Sequence, residues 1–292
     1  MNTTIGKALG HAIRRLTQAE IPEPRAAAEV LLADLLSLPR WQLHFDQHRV
    51  LCASLYACYV ERITRRQSGE PVQYITGRQA FWSLEFEVNT DVLIPRPESE
   101  QLVEHGVRLA RQWRALHPHQ PLHVLDVGTG SGNLAVSLAR ELPHSSVCGV
   151  DRSFDALRVA RRNAQRLDVV SQTRWICGDL LSPLRSHAQR FALCVSNLPY
   201  VTIDEWWQLP REIRDYEPSV ALLGGDDGLA LIRCLITVSS TVLAAGGSLL
   251  LEVGWKQAAS VLDIMQQSGF FHCMDVYHDL AGIERVVWAQ MP

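Results

Sequence analysis

Lysine is nearly missing from this chain. Only Lys7 and Lys256 occur, so 26 of the 28 basic residues are Arg, and 31 acidic residues leave a formal net charge of -3. The absence of excess positive charge argues against a surface built as a whole to grip nucleic acid. Arg suits fork-like binding of carboxylate or phosphate, but compositional bias accounts for its excess more simply. The seven Cys (52, 58, 148, 177, 194, 234 and 273) are odd in number and contain no C-x-x-C pair, so neither a disulfide framework nor a zinc site is indicated. Most sit in apolar runs and are expected to be free thiols buried as small hydrophobes. The eleven His show no ligand spacing, and no metal is expected. Residues 1–10 lack a long apolar segment, so no secretory signal is read. The uncharged stretch 234–251 is interrupted by Ser239, Ser240, Gly246 and Gly247. It reads as a buried helix followed by a buried strand rather than a membrane span. A cytoplasmic protein with no membrane attachment is expected.

What is present is enough apolar sequence, 47% of 292 residues, for sizeable cores, and the length favours two domains. Residues 1–75 read as a small helical domain. Ile5, Ala8, Leu9, Ala12, Ile13 and Leu16 recur at helical spacing, Pro24 opens a second helix, and a third runs over about 50–67. Residues 76–95 read as a β-hairpin linker through Phe81, Leu84, Phe86, Val88, Val92, Leu93 and Ile94, ending at the Pro95-Arg96-Pro97 turn. A helix over about 97–113 follows.

From Pro121 strands and helices alternate through 96–292, the third segment. Strand-like runs fall at 123–127, 146–151, 173–177, 191–196, 247–253, 272–277 and 284–289, and helices at about 132–141, 153–166, 228–244 and 256–268. This pattern implies an α/β fold with a mostly parallel sheet covered on both faces. The last two strands leave no room for a crossover helix, so they should pair antiparallel.

Between the first strand and helix of this segment lies Asp126-Val127-Gly128-Thr129-Gly130-Ser131-Gly132. Glycine permits a tight turn and lets backbone approach a ligand at a helix N-terminus. Asp151 ends the next strand, 19 residues after Gly132, where a carboxylate can accept two ribose hydroxyls. The spacing G-x-G-x-G differs from the G-x-G-x-x-G of dinucleotide sites. It resembles the S-adenosylmethionine-binding turn of Rossmann-like methyltransferases, built on a seven-stranded sheet. That resemblance implies that the turn, Gly128 to Gly132 with Thr129 and Ser131, binds the cofactor, that Asp126 holds its ammonium end and Asp151 its ribose. It places Asp179 and Leu180, after the third strand, at the adenine.

Ser196-Asn197-Leu198-Pro199-Tyr200 follows the fourth strand, at the switch-point crevice of the expected sheet order. An amide or aromatic amine nitrogen is a poor nucleophile because its lone pair is delocalised. The Asn197 side-chain oxygen and the Leu198 carbonyl can accept its two N–H hydrogens and aim the lone pair. Pro199 restricts Leu198 to an extended conformation, and Tyr200 can pack flat on a planar group. Asn197, Pro199 and Tyr200 are therefore the catalytic candidates, and Asn197, Leu198, Pro199 and Tyr200 the substrate-binding ones, with Asn197 also beside the cofactor.

These motifs, with Gly69-Glu70-Pro71-Val72-Gln73-Tyr74, Leu93-Ile94-Pro95-Arg96-Pro97-Glu98-Ser99-Glu100, Tyr216-Glu217-Pro218, Gly224-Gly225-Asp226-Asp227-Gly228 and Ala281-Gly282-Ile283-Glu284-Arg285, resemble the HemK-type glutamine methyltransferases over nearly the whole chain. The resemblance implies methyl transfer from S-adenosylmethionine to the side-chain nitrogen of the glutamine in the Gly-Gly-Gln loop of peptide chain release factors. The N-terminal helical domain is expected to dock that protein substrate; a monomer is expected, and the near-neutral charge argues against direct nucleic-acid binding. The family's usual motif is Asn-Pro-Pro-Tyr, whereas Leu198 stands second here, and Leu180 stands where relatives often have Trp. Three other readings stay open: a ribosomal-protein glutamine, a ribosomal RNA adenine, and a non-catalytic binding module in which Leu198 marks decay. The insertion 201–227, with Trp206 and Trp207, is expected to fold over the substrate or to pack in the core. Arg96 either grips a ligand or pins its own turn.

Overall fold

The apolar periodicity of the first 70 residues is realised as helices. The computed structural model describes residues 3–184, 190–279 and 281–292. Its contacts divide the chain into Met1–Arg78 with Pro210–Tyr216, and Gln79–Leu209 with Glu217–Pro292. The first unit comprises β1 (Thr3–Thr4), α1 (Ile5–Gln18), α2 (Pro24–Leu36), α3 (Gln42–Phe45), β2 (Val50–Leu51), α4 (Ala53–Gln67) and α5 (Val72–Thr76). Thr4 caps α1 by accepting from the Lys7 amide, and Pro24 takes the first turn of α2, where its missing N–H costs nothing. α4 starts three residues later than its apolar pattern implies, because Val50 and Leu51 pair with Thr4 and Thr3. Ile5, Leu16, Leu31, Leu32, Tyr59 and Ile63 form the core of this unit. The buried Tyr59 hydroxyl donates to the Ala28 carbonyl at 2.9 Å, which removes the cost of burying it.

The second unit opens with the hairpin β3 (Arg78–Phe81) and β4 (Leu84–Glu87). Trp82 and Ser83 both have left-handed φ values, 51° and 57°, as a two-residue turn matched to strand twist requires. The hairpin is built into this unit: Phe81 and Phe86 meet edge to face at 6.0 Å, and Asn163 accepts from the Glu87 amide while donating to the Glu87 carbonyl. The segment 88–95, read from sequence as strand-like, instead turns at 89–92, where the Val92 amide donates to the Asn89 carbonyl and the Asp91 amide to the Asn89 side chain, and a 3-10 turn (Pro97–Ser99) leads into α6 (Glu100–Leu116).

Then come β5 (Leu122–Val127), α7 (Asn133–Glu141), β6 (Ser145–Asp151), α8 (Phe154–Arg166), β7 (Thr173–Cys177), β8 (Phe191–Ser196), α9 (Ile203–Gln208), α10 (Arg211–Arg214), α11 (Ala230–Ser239), β9 (Leu243–Glu252), α12 (Ala258–Ser268), β10 (Cys273–His278) and β11 (Glu284–Gln290). Seven strands make one sheet in the order β10-β11-β9-β8-β5-β6-β7. β9, β8, β5, β6 and β7 run parallel, and β11 is antiparallel to both β9 and β10, as the short final connection demands. Helices on the two faces bury two apolar clusters. α11 ends at Ser239, short of the expected 244. Ser239 and Thr241 hydroxyls donate back to the carbonyls of Ile236 and Val238, which closes the last turn. No helix among the described residues is long and apolar enough to cross a membrane.

Two expectations are corrected here. Five of the seven thiols are exposed, and only Cys148 and Cys194 are buried; the others lie on outer helix faces and outer strands, where an apolar neighbour in sequence does not bring burial. The insertion 201–227 is split: α9 belongs to the second unit with Trp207 67% exposed, whereas 210–216 belongs to the first. There Glu212 pairs with Arg66 at 2.7 Å and the Tyr216 hydroxyl donates to the Ser68 carbonyl.

Candidate active site

The glycine turn uses most of its own amides. Gly128 and Thr129 N–H both donate to the Val150 carbonyl, and Gly132 N–H to the Thr129 carbonyl. Gly130 N–H donates to Asp151 Oδ2 at 2.8 Å, while Asp151 Oδ1 accepts from Ser153 N–H. Asp126 lies beneath the turn, fully buried. Its Oδ2 accepts from the Thr129 hydroxyl at 2.6 Å and from Ala135 N–H in the first turn of α7 at 3.1 Å. A carboxyl thus already occupies the end of a helix that elsewhere would receive a phosphate. Asp126 Oδ1 has no hydrogen-bond partner, and burial pushes this carboxyl up to about 7.

That shift has a consequence for stability. The folded state holds the Asp126 proton between the ordinary carboxylate range and about 7, so stability present at low pH is lost as pH rises through this window. Asp126→Asn, which cannot ionise, should gain on the wild type by about 2–4 kcal/mol between pH 4 and pH 8. Denaturant midpoints for both proteins across that range check it. A difference independent of pH would mean that Asp126 does not titrate as described.

Above the turn is a cleft partly open to solvent, with walls formed by parts of 91–99 (Ser99 among them), the turn, Asp151, Asp179, Leu180, Asn197, Leu198, Pro199, Pro218, Val220 and Ala221. Of the sequence-predicted set, Gly128, Thr129, Gly130, Ser131, Asp151, Asp179, Leu180, Asn197, Leu198 and Pro199 reach it. Asp126, Gly132 and Tyr200 do not line it, each for a packing reason. Asp126 holds the helix end. A Cβ on Gly132 would lie 3.0 Å from that of Ala160, so this glycine serves close packing of α8. Tyr200 turns its hydroxyl to Glu252 at 3.4 Å.

The backbone of Pro199 and Tyr200 is held from behind. Gly224 and Gly228 approach so closely that a Cβ on either would fall 2.5 Å from the Pro199 carbonyl oxygen and 2.2 Å from that of Tyr200 respectively. Gln257 donates to the Tyr200 carbonyl at 3.1 Å. Leu198 is buried, with its Cδ2 where a Cβ on Gly128 would meet it at 3.1 Å; the branched side chain fills space against the turn. Arg96 pairs with the buried Glu217 at 2.5 Å, and the other Glu217 oxygen accepts from Ile94 N–H. It pins its own turn at the rim of the cleft.

Sequence reasoning assigned no role to Ser99 or Glu252. Both are buried, and they connect to Asn197: its Nδ2 donates to Ser99 Oγ at 3.0 Å, and Ser99 Oγ–H donates to Glu252 Oε2 at 2.5 Å. A signal for Glu252 was present, since it is the charge that ends the uncharged run 234–251, at the C-terminal end of a central strand.

Comparison with known proteins gives the family. A family model described as the PrmC N-terminal domain matches residues 7–77, and one described as a methyltransferase domain matches 124–216. The release factor glutamine methyltransferase of Koribacter versatilis is 41% identical over 99% of each chain. That of Geobacter sulfurreducens is 39% identical over 97% of this chain and 95% of its own. The chain belongs to the release factor glutamine methyltransferase family. Among solved structures, the hMettl16 catalytic domain in complex with the MAT2A 3'UTR hairpin 6 is 12% identical with a TM-score of 0.56, covering 82% of this chain and 84% of that one, a likeness of fold alone. For a member of this family the cleft has the right chemistry for S-adenosylmethionine. The helix end is already filled by a carboxyl, Asp126 Oδ1 is unpaired, and both Asp151 oxygens keep lone pairs free beside their single backbone donors.

Proposed function

We propose that the chain transfers a methyl group from S-adenosylmethionine to the side-chain amide nitrogen of the Gly-Gly-Gln glutamine of peptide chain release factors. The observation that carries this reading is the convergence of Asn197, at the end of β8, with the glycine turn and Asp151 on one cleft. When bound, the cofactor supplies an electrophilic sulfonium methyl. The chain supplies position. Asn197 Oδ1 and the Leu198 carbonyl accept the two N–H bonds of the substrate amide, which aims its lone pair along one line and keeps water from competing. Pro199 fixes the backbone that presents the carbonyl. Asp151 accepts the ribose hydroxyls, Asp179 and Leu180 flank the adenine, and Asp126 offsets the ammonium charge from beneath the turn. Tyr200 anchors the motif through Glu252 in place of stacking on substrate.

The helical domain, residues 1–75, is proposed to dock the release factor; its exposed Trp41 and Phe45, in edge-to-face contact at 6.0 Å, offer the kind of aromatic surface that protein contacts favour. Residues 76–95 connect it to the catalytic domain, 96–292. The reading includes a monomer acting in the cytoplasm without direct nucleic-acid contact. Radiolabelled methyl transfer to release factor, ribosomal protein and ribosomal RNA, assayed side by side, tests it. Label confined to release factor supports it, and label in either of the others, with none in release factor, overturns it.

The ribose assignment makes its own prediction. Asp151→Ala removes a carboxylate hydrogen bonded to Gly130 and Ser153 amides, and S-adenosylmethionine should bind about 10–100-fold more weakly, the loss expected for a charge-assisted hydrogen bond. Titration calorimetry measures this directly. An unchanged affinity would remove Asp151 from the cofactor site.

A further inference from the structure

An asparagine in a site of this kind has two faces, and only one is useful. Turned one way, its amide offers an oxygen to the N–H bonds of a substrate amide; flipped, it offers two more donors, which repel them. What sets the face of Asn197 is a pair of side chains that runs from the cleft wall into the core. Its Nδ2 donates to Ser99 Oγ at 3.0 Å, and that oxygen can accept because its own hydrogen is committed to Glu252 Oε2 at 2.5 Å. Glu252 Oε1 accepts from the Tyr200 hydroxyl, so an ionised Glu252 takes a hydrogen from each neighbour. No hydrogen bond among the described residues engages Asn197 Oδ1, which is left for an incoming donor.

We propose that Glu252, acting through Ser99, is a positioning residue that holds the Asn197 amide with its oxygen toward the substrate. The proposal rests on the reading of Asn197 as acceptor of the substrate amide. Its logic is one of protons. A carboxylate accepts only, whereas a protonated carboxyl can donate. If Glu252 carries a proton, its O–H can donate a hydrogen bond to Ser99 Oγ. The Ser99 hydrogen is then free to turn to Asn197, and the flipped amide becomes the better partner. The groups facing Glu252 pull in both directions: Ser99 and Tyr200 donate to it and Arg285 favours its charge, whereas burial and Glu98 oppose it. Burial dominates and raises the carboxyl to about 7. The ordering of Asn197 is therefore lost as pH falls through about 7 and restored as it rises.

Three measurements on the full-length protein test this. In the wild type, kcat for methyl transfer to release factor should rise about tenfold from pH 6 to pH 8, with KM for release factor changing less than threefold. Glu252→Gln should show kcat about tenfold below wild type at pH 8, a flat profile from pH 6 to pH 8, and unchanged S-adenosylmethionine affinity by calorimetry. In protein labelled with ¹⁵N-asparagine, the Asn197 side-chain amide signals, assigned by their loss in Asn197→Ala, should shift with a midpoint near pH 7 in wild type and remain still in Glu252→Gln. Asn197 signals that ignore pH in the wild type, or a folded Glu252→Gln with wild-type kcat and pH profile, would overturn the proposal. Failure of the underlying reading looks different: the wild type itself would leave release factor unlabelled, while the amide titration would still report on the network.

Discussion

Asn197→Ala should lower kcat for methylation of release factor by about 10³-fold while S-adenosylmethionine affinity stays within about threefold of wild type. The substrate amide nitrogen is a poor nucleophile, and orientation is the service proposed for Asn197. Removing Asn197 Oδ1 removes one of two acceptors and lets the substrate nitrogen rotate away from the line of transfer. The change should leave the fold intact. Ser99 keeps its bond to Glu252, and Asn197 is only partly buried, so truncation strands no buried charge. The proposed cofactor contacts lie mainly on the turn and on Asp151. Single-turnover rates with radiolabelled cofactor, paired with calorimetry, separate the two quantities. Survival of methyl incorporation at the wild-type rate would strip Asn197 of its role. Joint loss of transfer and cofactor binding would place it in the cofactor site instead.

How much of this was legible in the sequence depends on how far apart the partners lie. The alternation of buried strands with amphipathic helices is a local pattern, and it placed the strands of the sheet to within a few residues. The turn from Gly128 to Gly132, and Asp151 at the end of the next strand, are likewise local. Asn197 followed from being an amide directly after a strand beside β5. What could not be read was which way a side chain faces once the layers close. Asp126 has the spacing of a ligand-binding acid, yet the α7 amide at Ala135 and the Thr129 hydroxyl claim it from below. Tyr200 has the ring for stacking, but its carbonyl and hydroxyl are both held by the body of the domain. Ser99 and Glu252 are 153 positions apart, and no periodicity joins them. Leu198 shows the same limit from the other side: as a departure from the family motif it invites a reading of decay, but it is buried against the glycine turn as an integral part of the floor.

The glycine cluster behind the motif allows the sharpest separation of backbone strain from close approach. Gly228 and Gly269 have nearly the same left-handed φ, 71° and 70°, so replacing either by Ala carries a similar conformational cost of about 1 kcal/mol. Their surroundings differ. A Cβ on Gly269, at the C-terminal cap of α12, would meet nothing within 4 Å, whereas one on Gly228 would lie 2.2 Å from the Tyr200 carbonyl oxygen and 2.6 Å from Gln257 Nε2. The first contact is with backbone, which cannot swing aside. Gly228→Ala should therefore cost about 3 kcal/mol or more in denaturant unfolding and Gly269→Ala only about 1. The same overlap pushes on the Tyr200 carbonyl, at the end of the Asn197–Tyr200 motif, so displacement of the acceptors by about 1 Å should reduce kcat about 10²-fold in the protein that remains folded. Equal losses of stability for the two variants would show that φ alone sets the cost. A destabilised Gly228→Ala with full kcat would show that the 224–228 loop supports the fold without holding the motif in place.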